Sequence, residues 1–141
     1  MKIKYELEEG AVAPSRAHAA DAGWDLTAKE TIGVVADLGN VTVHTGVHVL
    51  IPEGYVGVIS PRSGLTRAGL VTEVGIVDAG YTGELCLAVR YMVSGATHVI
   101  SKGERIAQLL ILPLPETQLV PGNVTGVVTD RGSHGFGSTG V

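Results

Sequence analysis

Hydrophobic and polar residues alternate from the first residues onward: Ile3, Tyr5 and Leu7 are interleaved with Lys2, Lys4 and Glu6. A period of two belongs to a strand whose two faces meet different surroundings. The segment VTVHTGVHVL (41–50) repeats the pattern, with Val41 and Val43, then Val47 and Val49, set around Gly46. It predicts either two short strands or one strand broken by a bulge. Further strands are predicted over YVGVIS (55–60), ELCLAVRYM (84–92), THVIS (97–101) and RIAQLLIL (105–112). The last could also be helical, but its short length and the stop at Pro113 favour a buried strand. A short helix is placed only near Leu65–Leu70, and residues 11–23 read as loop. Glycine and proline punctuate these segments at short spacing, which predicts a sandwich, barrel or jelly roll.

Composition sharpens this picture. The 141 residues fit one domain. Charged residues are 17% and hydrophobic residues 45%, which excludes a disordered chain. Aromatics are only 4%, so an aliphatic core is required. The chain carries 20 valines, 8 isoleucines and 12 threonines, side chains that suit pleated surfaces better than helices. With 20 glycines as well, an all-β domain is expected. The pattern changes after Pro121. Residues 1–120 read as a β-rich core, and 121–141 as a glycine-rich arm of the same single domain. That arm has too little apolar material for a core of its own, yet it holds the chain's one phenylalanine, Phe136, near Arg131. It reads either as a plain tail or as a segment that orders over a ligand.

The formal net charge is −4 and there is no basic run, so nucleic-acid binding is not expected. No stretch reaches the roughly 18 apolar residues of a membrane span, and the charged N-terminus lacks a signal peptide's apolar run. The lone Cys86 cannot form an intramolecular disulfide, which favours a reducing, cytoplasmic setting. His44 and His48 lie four apart in a strand rather than a helix. They are not expected to share a ligand-presenting face, and no histidine-bound metal site is expected. Signatures of covalent catalysis, phosphate-binding loops and dinucleotide folds are missing from the sequence.

What the sequence does carry is a dispersed set of polar, glycine-rich islands: DAGWDL (21–26), PRSGLTRAGL (61–70), GIVDAGYTGEL (75–85), GERIAQLL (103–110) and RGSHGFGSTG (131–140). Together they offer arginines, hydroxyls and bare backbone N–H groups for phosphate oxygens, with carboxylates for metal or water. These five islands, in this order and spacing, resemble the five motifs of the trimeric dUTPase family, whose members hydrolyse dUTP to dUMP and pyrophosphate. The activity limits uracil in DNA and supplies dUMP for dTMP synthesis.

The resemblance implies an all-β, jelly-roll-like fold assembled as a homotrimer, with the C-terminal arm closing over active sites at subunit interfaces. It also implies a role for each matching residue. Asp78 would activate the attacking water, an aspartate being ionised at neutral pH and able to accept a proton. Arg62, Ser63 and Gly64 would hold the α- and β-phosphates, and Gln108 would contact the phosphate region. Gly75, Ile76 and Val77 would read uracil through their main chain, with Thr72 beside the base. Tyr81 would stack on the deoxyribose and exclude a 2′-hydroxyl. Arg131 would reach the γ-phosphate, Phe136 would cap the uracil, and Gly137 and Ser138 would donate to phosphate oxygens. Mg2+ is implied as cofactor, with Asp25 contacting it through water. For Arg105 a structural ion pair is favoured over ligand contact. Trp24 stands where a smaller aromatic is usual, a conservative change if its ring packs.

Two rivals follow from the same residues. A dCTP deaminase, or a bifunctional deaminase–diphosphatase of the superfamily, shares the second and third islands but fits the RGSHGFGSTG ending less well. A non-catalytic nucleotide-sensing relative would have no use for Asp78, Tyr81, Arg131 and Phe136 together.

Overall fold

The computed structural model describes residues 1–130 together with Gly132 and Ser133. In chain order the elements are β1 (Lys4–Leu7), β2 (Gly23–Thr27), β3 (Ile32–Val35), β4 (Val41–Leu50), β5 (Tyr55–Pro61), α1 (Ser63–Arg67), β6 (Leu70–Thr72), β7 (Gly75–Val77), β8 (Glu84–Tyr91), β9 (Thr97–Ile100) and β10 (Arg105–Pro113). They form one four-stranded sheet in the order β1-β4-β8-β6, a second in the order β2-β10-β5-β7, and a β3-β9 pair. Every pairing is antiparallel. The all-β, jelly-roll-like architecture implied by the sequence is the one found. Among the described residues, no helix is long and apolar enough to cross a membrane.

The core is aliphatic, as the composition requires. Val43, Val47, Leu85, Leu87 and Val89 of the first sheet join one buried cluster with Leu26, Ile59, Ile106 and Leu109 of the second. Alternation along β8 shows the cause: Leu85, Leu87 and Val89 point inward while Glu84, Cys86 and Ala88 stay partly exposed. The helix–strand ambiguity of RIAQLLIL resolves as strand because β10 is sandwiched between β2 and β5. A register shift between Arg105 and Ala107 lets two successive residues, Ile106 and Ala107, both turn inward. Ile106 has no exposed surface. Ile106→Ala should cost about 2–5 kcal/mol through lost burial and the cavity left behind, measurable as a lower urea midpoint with unchanged slope.

Residues 41–50 form one bulged strand rather than two. Gly46 takes φ +66, and a Cβ there would lie 2.7 Å from the Ala11 Cβ. The helix runs over Ser63–Arg67, slightly earlier than the sequence indicated. Extended Arg62 (φ −92, ψ 135) starts it directly after Pro61, and Gly69 at φ +86 follows its end. In β1 the alternation predicted a strand correctly, yet Tyr5 and Leu7 stay exposed because this edge strand pairs only with β4.

Candidate active site

Three of the polar islands meet around β10. This strand pairs with β2 on one side and β5 on the other, so Gln108 stands opposite both Asp25 and Ser60. Gly23 makes room for the Gln108 side chain: a Cβ at that position would lie 2.5 Å from its Oε1. The Asp25 carboxylate accepts a hydrogen bond from Arg105 Nη1 at 3.2 Å and forms an ion pair with Arg62 Nε at 3.3 Å. Beside this triad opens a cavity of about 590 Å³, lined in part by Arg62, Ser63, Gly64, His98, Glu104 and Gln108.

The short helix shapes one wall. Leu65 and Thr66 donate to the Arg62 carbonyl, the first bonds of the turn. The Ser63 and Gly64 amides precede them and are orphan donors of a helix start. A Cβ at Gly64 would meet nothing within 4 Å, so this backbone faces open space. Two guanidiniums, a hydroxyl, an amide side chain and free N–H groups make a set of donors suited to phosphate oxygens. The carboxylates here are committed elsewhere: Asp25, beside the cavity, to the arginines, and Glu104 of its lining, through Oε2, to the Ser101 amide at 2.9 Å.

Arg105 makes the ion pair expected of it, though it also lines the cavity and is half-exposed. Trp24 does not pack into the core. Its ring is partly exposed, and the Arg16 guanidinium lies 4.3 Å from its centroid. His98 and Glu104 carry no signal of their own, since a histidine in THVIS and a glutamate in GERIAQ look like ordinary surface residues. Gly23 was legible only as part of an island, its reason being the Gln108 side chain.

The third island lies apart from this cavity. β7 and β8 are joined through Asp78, Ala79, Gly80 and Tyr81, with the Tyr81 amide donating to the Asp78 carbonyl at 3.2 Å. Gly80 has φ +80, a conformation that side chains disfavour. Its amide ties the turn to the Ile51 carbonyl at 3.1 Å. Asp78, Ile76 and Tyr81 are exposed, while Val77 anchors the strand in the core. Tyr81 Oη donates to the Glu84 carbonyl at 3.2 Å, and the ring lies so close over Gly83 that a Cβ there would be 2.2 Å from Oη. Gly75 and Gly57 allow close packing of β7 on β5: a Cβ at Gly57 would lie 3.0 Å from the Val77 Cβ. Thr72 sits in β6 at 7% exposure, and its hydroxyl has no partner among the described residues.

The chain thus gathers Arg62, Ser63, Gly64 and Gln108 at one cavity, with Asp25 held beside it by the arginines. It places Gly75, Ile76, Val77, Asp78 and Tyr81 on β7 and the turn that follows it, none of them lining that cavity. Arg131, Phe136, Gly137 and Ser138 lie outside the described residues.

A second polar cluster occupies the outward face of the first sheet. A strand's period of two puts His44 and His48 on one face after all, and the bulge at Gly46 sets His44 opposite Cys86 and His48 opposite Glu84. The expectation that they share no face is therefore corrected by the strand geometry itself. Glu84 Oε2 lies 2.7 Å from His44 Nδ1, and Glu84 Oε1 accepts from the Gly46 amide at 2.7 Å. Partial burial would raise the Glu84 pKa, but the bonds from His44 and Gly46 outweigh it and hold the carboxyl below its usual range. The same hydrogen bond from Glu84 raises His44. Burial, reinforced by Glu84, pushes the Cys86 thiol up to about 12, so it is no nucleophile at neutral pH.

Comparison with known proteins places this geometry in context. The dUTPase family model matches residues 9–140. The chain is 43% identical to the deoxyuridine 5'-triphosphate nucleotidohydrolase of Mycobacterium tuberculosis, over 95% of this chain and 91% of that one. Among solved structures it resembles the dUTPase of Staphylococcus bacteriophage 80alpha with dUPNHPP, at 33% identity and a TM-score of 0.84, covering 99% of both chains. It also resembles a mutant dUTPase from phage phi11 of S. aureus, in a structure concerned with the coordination of a structural Mg(II) ion. That match has 31% identity and a TM-score of 0.78, and covers 86% of this chain and 97% of the other.

Proposed function

The chain belongs to the dUTPase family, and from that membership we propose how its residues divide the work. The activity is hydrolysis of dUTP to dUMP and pyrophosphate. The cavity at Asp25, Arg62, Ser63, Gly64 and Gln108 binds the phosphate chain. Its guanidinium, hydroxyl and amide donors take the α- and β-phosphate oxygens. Gly75, Ile76 and Val77 present backbone donors and acceptors to one edge of uracil, which excludes cytosine by its exchanged pattern. Thr72 supports the base-reading strand from the core side.

Asp78 orients a water and takes its proton as the water oxygen attacks the α-phosphorus. The bond from that phosphorus to the bridging oxygen breaks, and pyrophosphate leaves with the bond's electron pair. The product dUMP keeps the transferred oxygen. Arg131, Phe136, Gly137 and Ser138 of the arm bind the γ-phosphate, cover the uracil and donate to phosphate oxygens.

The cofactor is Mg2+, and the chain's donors suit it in one particular way. Both Asp25 oxygens face guanidiniums, so direct coordination beside two positive charges is disfavoured. A carboxylate in that position can still accept hydrogen bonds from metal-bound water. When bound, Mg2+ would offset the triphosphate's negative charge, with Asp25 contacting it through water.

What supports the assembly is that none of Gly75, Ile76, Val77, Asp78 and Tyr81 lines the cavity at Arg62 and Gln108. A homotrimer unites the two parts by setting the Asp78 turn of one subunit against the cavity of another. Exposed apolar side chains supply surface for such contacts, among them Ile76, Tyr5, Leu119 and Val128, the last two almost wholly exposed. Sedimentation should give three times the chain mass; a monomer active at nanomolar concentration would contradict the shared site. A lone cysteine suits a reducing compartment, the cytoplasm, or the host cytoplasm or nucleus for a viral or phage-encoded chain.

Tyr81→Ala should reduce the preference for dUTP over UTP on the order of tenfold or more, because the missing ring admits a 2′-hydroxyl. The ratio of kcat/KM values for the two nucleotides measures it. Unchanged discrimination in a folded variant would mean that the sugar is read elsewhere.

A further inference from the structure

We propose that His44, Glu84 and Cys86 form a binding site for a zinc-class divalent ion, distinct from the nucleotide site and its Mg2+. The three offer one ligand atom each, imidazole Nδ1, carboxylate oxygen and thiol sulfur, all within 4.8 Å of one another. They stand on two neighbouring strands of one sheet. His44 is directly opposite Cys86, and Glu84 precedes Cys86 by two positions on the same face. The backbone therefore fixes their spacing without any loop having to order.

Distances fit an ion of this class. Zinc bonds of about 2.0–2.3 Å in a tetrahedron require ligand atoms roughly 3.3–3.8 Å apart. Cys86 Sγ and His44 Nδ1 are already 3.4 Å apart. The 2.7 Å contact between His44 Nδ1 and Glu84 Oε2 is a hydrogen bond that the ion replaces by entering between them. Binding displaces the thiol proton and any imidazole proton to the buffer, with no change of oxidation state.

The surroundings hold the ligands in place. Glu84 Oε1 is tied to the Gly46 amide at the bulge, which leaves Oε2 for the ion. His48 flanks the cluster, with Nδ1 2.9 Å from the Thr82 carbonyl and Nε2 3.3 Å from Glu8 Oε1. Glu8 also pairs with Lys29, so this nearby cation is neutralised by its own partner. Outer contacts of this kind orient first ligands and tune affinity. A sulfur, nitrogen and oxygen set selects zinc or cobalt over magnesium, which prefers oxygen alone. Three protein ligands leave a fourth position for water. Cys86 is only partly exposed and His44 about half exposed, so the ion enters from solvent. Bound there, it clamps β4 to β8 just after the turn that carries Tyr81.

The test titrates the full-length protein, freed of metal by chelator and dialysis, with ZnCl2 and separately with CoCl2. One zinc per chain should bind, and Co2+ should give the near-ultraviolet charge-transfer absorption of a thiolate ligand. Cys86→Ser should abolish that absorption, and both Cys86→Ser and His44→Ala should weaken zinc binding at least about 100-fold. Zinc should raise the melting temperature of the native chain but not of either variant. Hydrolysis of dUTP with Mg2+ should persist in both variants, since neither residue belongs to the nucleotide site. His44→Ala alters an exposed side chain, so it remains informative should Cys86→Ser fold poorly. Zinc affinity equal in native and His44→Ala proteins, or Co2+ spectra without a Cys86-dependent band, would overturn the proposal and leave a hydrogen-bonded triad only.

Discussion

Asp78→Asn should lower turnover by roughly 10²–10⁴-fold, the usual loss when a general base is removed, while dUTP binding and fold stay close to native. The substitution keeps size and hydrogen-bonding capacity but removes the charge that accepts the water's proton. Asp78 lies on an exposed turn immediately after buried Val77. The turn is held by backbone bonds, from the Tyr81 amide to the Asp78 carbonyl and from the Gly80 amide to the Ile51 carbonyl. Neither depends on the carboxylate, so the loss should appear in kcat rather than in stability. Unchanged melting with strongly reduced kcat is the expected result. Native turnover would remove Asp78 from the mechanism.

Deletion of everything after Pro121 should reduce hydrolysis on the order of 10²-fold or more and leave the fold intact. The buried core ends at Leu109, with Ile111 packed against it. Within the described part of the deleted stretch, Val124, Val127 and Val128 are all well exposed. The truncated chain therefore loses little buried surface. On the proposed roles of the arm it would lose the contact of Arg131 to phosphate, worth about 1.5–3 kcal/mol for a charged hydrogen bond, and that of Phe136 on the base, about 1–3 kcal/mol. Ordering a glycine-rich arm opposes this at about 1–2 kcal/mol per residue of backbone, so the arm should close only over bound nucleotide. Limited proteolysis should cut it readily in the free enzyme and slowly with dUpNHpp and Mg2+. Equal cleavage in both states, or normal hydrolysis by the truncated protein, would mean that the segment is only a tail.

Much of the architecture was legible because its elements are long enough to show a period. β4, β8 and β10 span 8–10 residues each and carry unmistakable alternation or apolar runs. β6 and β7 have three residues each, too few for any period to register. Their state is decided by pairing with longer strands. The residues proposed to bind nucleotide are read from motif order rather than from local chemistry. Asp25, Arg62 and Gln108 lie far apart in sequence and meet only because β10 separates β2 from β5. No local pattern could reveal that the turn bearing Asp78 takes no part in lining the cavity that bears Arg62. The His44, Glu84 and Cys86 cluster escaped sequence reasoning for a related cause. Its members share a face through cross-strand register and a bulge at Gly46, and register is written in pairing, not in spacing.

The account rests on this chain converting dUTP in particular, by attack at phosphorus rather than at the base. Its most direct test is pyrophosphate release from dUTP, dCTP, dTTP and UTP side by side, with and without Mg2+, with ammonia measured in the same samples. The account predicts fast, magnesium-dependent pyrophosphate release from dUTP, far slower release from the other three, and no ammonia from any. Ammonia from dCTP, or no pyrophosphate from dUTP in the presence of Mg2+, would contradict it.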